Sequence, residues 1–167
     1  MNSVTDSVNA ANQSLQDLVS NGGFDRVMEK VSLCRQIALN STDFPPQVKV
    51  VSVGPGRVTA EVLLDKSHLN RGGFAHGGFL ATLVDSISTL AVIFGGDPEA
   101  TINPGVSIDL NVQFMAPANN NSTLVIEVET LRKGQSIAFL AVNILNKQNR
   151  RLIARGSHIK FVATPKL

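Results

Sequence analysis

Tryptophan and tyrosine are absent from the 167 residues, and cysteine occurs once, at Cys34. Without Trp or Tyr, and with no recognition-helix motif, the chain has little with which to stack bases, so nucleic acid is disfavoured as a partner. A lone cysteine excludes an internal disulfide and suits a reducing compartment, cytoplasmic or mitochondrial. No apolar run follows Met1, which predicts no secretory signal. Lys and Arg are missing from the first 25 residues, which argues against a cleaved mitochondrial presequence and leaves an internal address open. No His/Cys/Asp group has ligand spacing, so no metal is expected. Acidic residues are missing from Thr130 to Leu167, where eight basic ones lie (Arg132, Lys133, Lys147, Arg150, Arg151, Arg155, Lys160, Lys166). That segment reads either as a solvated basic face or as a site for a few phosphates.

Charge is also missing from the middle of the chain. Between Arg71 and Asp97 the only formally charged side chain is Asp85. In the same stretch Leu80, Leu83, Val84, Ile87, Leu90, Ala91 and Phe94 recur at helical spacing and form one apolar stripe. The opposite face carries Gly78, Ala81, Thr82, Asp85 and Thr89, and none of the long charged side chains that a solvated helix shows. Both faces are therefore expected to be covered, the second by another subunit, leaving Asp85 as a carboxylate in a dry place. Gly-Gly, four hydroxyl residues and the central Asp argue against a membrane span.

Around this helix, opening at His76 and ended by Gly95-Gly96, the chain reads mostly as strands. Residues 1–23 form an Asn/Ser-rich extension with a short amphipathic helix near Leu15–Val19, and 24–167 form one domain. Phe24–Val31 has helical spacing, and Phe44-Pro45-Pro46 makes a loop. Val48–Val53 and Val58–Leu64 flank Gly54-Pro55-Gly56 as a hairpin. After Pro104 the period becomes two, with Val106, Ile108, Leu110, Val112 and Phe114 alternating with Ser107, Asp109, Asn111 and Gln113. That predicts a half-buried strand with one wet face. Thr123–Leu131, Ile137–Leu145 and Leu152–Val162 follow as three more strands. The sum is an α+β fold, an antiparallel sheet wrapped on a long helix, with surfaces left over for a dimer or a pair of dimers.

HGG opening the helix, with an acid nine residues after the His, resembles the hotdog-fold acyl-coenzyme A thioesterases of the thioesterase superfamily member two and phenylacetate-pathway type. The resemblance rests on LNRGGFAHGGFLATLVDSIST (69–89), PGVSIDLNVQFMAPA (104–118), LRKGQSIAF and LIARGSHIKF. It implies hydrolysis of a fatty or aryl acyl-CoA, with coenzyme A as part of the substrate and no separate cofactor. It also implies an active site between subunits of a homodimer or homotetramer.

By this resemblance Asn70 and the Gly77 N–H hold the thioester carbonyl, His76 orients the helix start, Asp85 is the catalytic acid group and Ser107 orients the attacking water. Read on their own, Gly77-Gly78 supply first-turn N–H donors or merely tight packing. Asp85 could act as base, nucleophile or interface cap. Ser107 is simply a polar-face residue. His76 is not read as the base, because the helix dipole disfavours a cation there. It stands nine residues from Asp85, about 13–14 Å along the axis and on the opposite side, which itself asks for a second subunit. For coenzyme A, Lys133, Gly134, Arg155, His158 and Lys160 match segments near the pantetheine and nucleotide; His68 gains no role. The chain departs from the pattern in its N-terminal extension and in the Gly95–Asn103 connection near the acyl end. The rival readings are a hotdog dehydratase or hydratase and a non-catalytic acyl-CoA or fatty-acid binding module.

Overall fold

A computed structural model describes residues 48–94 and 103–163, which fall in one compact unit, Thr42–Leu167. The expected features at 1–47, the boundary at 23/24 and the connection after the helix lie outside the described residues. Helix α1 (Gly77–Phe94) lies across one face of a six-stranded sheet. The strands are β1 (Lys49–Gly54), β2 (Arg57–Leu63), β3 (Val106–Phe114), β4 (Thr123–Lys133), β5 (Ile137–Asn146) and β6 (Leu152–Phe161). Their order across the sheet is β1-β2-β4-β5-β6-β3, every neighbouring pair antiparallel. The α+β reading is the one found.

Local chemistry explains the punctuation. The β1–β2 turn is Pro55-Gly56, with Gly56 at φ +65 where a side chain would be strained. Between β5 and β6, Asn146 Oδ1 accepts from the N–H groups of Gln148 (3.0 Å) and Asn149 (3.3 Å), so the turn closes on its own first side chain.

The α1 stripe is buried as its spacing predicts: Leu80, Leu83, Val84, Ile87, Leu90 and Ala91. It meets the inward residues of the sheet, among them Val62, Ile126, Leu140 and Ile144, each at or below 1% exposure. The helix approaches β6 at Gly156. A Cβ built there would stand 2.5 Å from Val84 Cγ1, so only glycine lets the two backbones come so close.

Strand β3 departs from the sequence reading twice. First, it is not half-buried: Val106, Ile108 and Phe114 are each more than half exposed, because among the described residues β3 is the sheet's edge with β6 as its one neighbour. Second, its alternation is broken by a bulge. Ser107 pairs with Lys160 and Asp109 with Ile159, leaving Ile108 as the extra residue. One inserted residue reverses the face of whatever precedes it. Ser107 therefore leaves the polar face and joins Leu110, Val112 and Phe114 on the side toward α1.

Candidate active site

The site residues fall into two groups at different levels of α1. The first surrounds the helix start. His76 is the cap: its Nδ1 accepts the Gly78 N–H at 2.9 Å and its carbonyl accepts the Leu80 N–H at 3.1 Å. With Nδ1 occupied as an acceptor, His76 orients the helix entrance and has no lone pair there for a substrate proton. The Gly77 N–H, a first-turn donor, has no partner among the described residues. The Phe114 ring lies against it, with Cζ 3.1 Å from where a Cβ would be.

Asn70 sits in the loop just before. Its Oδ1 accepts from the N–H groups of Gly72 (2.9 Å) and Phe74 (3.3 Å), which fixes the amide and leaves its NH₂ as a donor. Buried His68 holds this loop to the helix: its ring stacks on Phe79 at 4.2 Å, its Nδ1 accepts the Asp65 N–H, and its carbonyl accepts the His76 N–H. Sequence reasoning assigns His68 no role; its position two residues before Asn70 is the signal that points to one.

The second group lies deeper along α1. Ser107 Oγ is 3.4 Å from Asp85 Oδ1, brought there by the β3 bulge. Behind them His158 is completely buried, its Nε2 2.9 Å from Ser107 Oγ and its Nδ1 2.6 Å from Ser88 Oγ. Lys160, 3% exposed, donates to Thr89 Oγ1 at 2.7 Å. Burial pushes the His158 pKa down, helped by the Lys160 charge and opposed by Asp85 and Asp109. Burial likewise lowers that of Lys160, against the pull of Asp85. His158 is thus held neutral, and its 3.7 Å approach to Asp85 Oδ1 is not an ion pair at neutral pH.

Within a single copy the Asp85 side chain is 49% exposed, because the small-residue face of α1 has no cover from its own sheet; the cover expected for it is a second subunit. One expectation needs correction. His158 and Lys160 do not belong to a phosphate-binding surface: both point inward to α1 hydroxyls, where no solvent-side phosphate reaches them. Of the other residues matched to coenzyme A, Lys133 donates to the Val92 carbonyl at 3.2 Å and Gly134 lies in the β4–β5 turn. Arg155 donates to Asn143 Oδ1 at 3.2 Å. Arg155 pairs with Asn143 whereas the turn adjoins Ile137, six residues or about 20 Å away along the strand, so the structure does not gather them. The basic segment is also partly neutralised, Lys147 by Glu61 at 2.7 Å and Arg150 by Glu127 at 2.6 Å.

Against known proteins, the thioesterase superfamily model matches residues 72–153. Mouse acyl-coenzyme A thioesterase 13 is 38% identical over 140 residues, 84% of this chain and 85% of that protein. This chain belongs to the thioesterase superfamily. The zebrafish thioesterase superfamily member 2 structure is 36% identical with a TM-score of 0.73, covering 81% of this chain and 97% of that one. A thioesterase structure with coenzyme A from Streptococcus pneumoniae is 28% identical with a TM-score of 0.64, covering 72% and 88%. The sheet wrapped on α1 is the hotdog fold of the superfamily, as the motifs imply. The superfamily match includes His76, Gly77, Asp85 and Ser107, and stops short of Asn70 and His158.

Proposed function

We propose that this chain is an acyl-CoA thioesterase whose active site is completed between two copies. The observation that carries the reading is the placement of Ser107 beside Asp85 by the β3 bulge. Two oxygens 3.4 Å apart can both accept from one water, which leaves its oxygen lone pairs free to face the substrate. This favours Asp85 as general base over nucleophile. Water's oxygen bonds to the thioester carbon and its proton passes to Asp85. The C–S bond breaks, and the proton goes on to the coenzyme A sulfur, giving free acid and thiol. The Gly77 N–H and the Asn70 NH₂ polarise the carbonyl and hold the developing oxyanion. No cofactor is needed beyond the coenzyme A of the substrate.

The carbonyl-holding donors and the acid lie about 12 Å apart along α1, so a single chain does not present both to one thioester. A second copy laid on the exposed small-residue face of α1 supplies the missing half and dries Asp85. Edge strand β3 supports this pairing, since a long exposed apolar edge is a template for another strand. The outer apolar residues Phe139 and Phe161, each about two-fifths exposed, suit a further pairing into a homotetramer. The lone Cys34 supports a reducing compartment, cytoplasm or mitochondrion.

Thiol release from a panel of fatty and aryl acyl-CoAs tests the reading. Turnover above the uncatalysed rate for at least one class is expected, and the preferred chain names the substrate. Tight binding of acyl-CoA without thiol release would instead make the chain a binding module.

A further inference from the structure

Ser107 has one hydrogen and two neighbours that could take it, His158 Nε2 at 2.9 Å and Asp85 Oδ1 at 3.4 Å. The first distance is normal for an O–H donor and the second is long. Ser88 faces the same choice between His158 Nδ1 at 2.6 Å and the Asp85 carbonyl at 3.1 Å. One assignment uses every hydrogen once without the long contact: His158 Nδ1–H donates to Ser88, Ser88 donates to the Asp85 carbonyl, and Ser107 donates to Nε2. The opposite tautomer makes Nε2–H the donor, occupies one of the two Ser107 lone pairs and turns the Ser107 hydrogen toward Asp85, into the gap where the water would bridge the two oxygens.

We propose that His158 is a positioning residue that, through Ser88, fixes the direction of the Ser107 hydroxyl so that Ser107 and Asp85 both accept from the attacking water. The inference rests on the hydrolytic reading of Asp85 and Ser107 given above. His158 touches neither substrate nor water and acts through Ser107. A protonated imidazole would donate from both nitrogens and reverse Ser107; burial and Lys160 oppose that state, while Asp85 and Asp109 favour it.

Two replacements separate positioning from packing. Glutamine reaches about as far as Nε2 and can still accept from Ser107; asparagine reaches only as far as Nδ1 and keeps the Ser88 side. In acyl-CoA hydrolysis by the full chain, His158→Asn is expected to lower kcat roughly ten- to a hundredfold, the loss of one buried hydrogen-bond partner. KM should stay within about twofold, and His158→Gln should retain most of kcat. In a Ser107→Ala background the His158 change should add less than about twofold, because the two residues act as one unit. Equal losses in the Asn and Gln variants, or an undiminished loss in the Ser107→Ala background, would overturn the proposal. If the His158 variants do not fold, Ser88→Ala decides, since it leaves the ring in place. A kcat loss at unchanged KM supports tautomer control, and unchanged kcat overturns it. Failure of the hydrolytic reading looks different: wild type itself then binds acyl-CoA without releasing thiol, and the inference falls with it.

Discussion

Asp85→Asn is expected to lower kcat for acyl-CoA hydrolysis by at least about a hundredfold, the usual scale of a lost general base, while KM changes little. The substitution is nearly isosteric and exchanges one acceptor oxygen for an NH₂ donor. A water between Ser107 and residue 85 then loses the group that takes its proton. Because the side chain is half exposed in the single chain, folding of each copy should be spared. Steady-state thiol release, with size measured in solution, checks both halves of the expectation. Retention of more than about a tenth of wild-type kcat would remove Asp85 from the chemistry.

The second large effect is on stability. Gly156→Ala places a methyl group 2.5 Å from Val84 Cγ1 and 2.9 Å from Cγ2. Val84 is fully buried, and its β-branched side chain is stiff at χ1 in a helix, so it cannot swing aside. Either α1 lifts off β6 or the contact strains, at a cost of about 1–3 kcal/mol, typical of an overpacked core. Thermal melting should fall by several degrees, roughly 2–4 °C per kcal/mol for a domain of this size. Adding Val84→Ala should recover part of that loss, since the two changes share one contact. An unchanged melting temperature in Gly156→Ala would mean that α1 does not approach β6 as described. The same lift would separate Asp85 from Ser107, so activity should fall with stability.

How much of this was legible in the sequence depended on whether a pattern survived in three dimensions. α1 and the strands were legible because their apolar periods run unbroken and their turns carry Gly, Pro and Asn. The β3 bulge was not, because Val106–Phe114 alternates perfectly and nothing in the residues marks Ile108 as extra; the slip comes from pairing with β6. Ser107 was therefore assigned by resemblance and located by structure. His158 and Lys160 were misread because charge in a basic segment suggests a surface. Yet they continue the series Ala154, Gly156 at every second position, the face that Gly156 marks as a close approach. Counting that series would have turned both inward. The dryness expected of Asp85 depends on a second subunit over the small-residue face of α1, and in a single copy that side chain is half exposed.

Mixing two defective copies measures the shared site most directly. Asn70→Ala removes a carbonyl donor and should cost about 10²–10³ in kcat, and Asp85→Asn removes the base. If each site takes its helix start from one copy and its acid from the other, a mixed dimer has one site with both defects and one with neither. Co-refolded in equal amounts, the two inactive variants should regain about a quarter of wild-type activity through that symmetry. No recovery, with mixed dimers shown to form, would contradict a site built between copies.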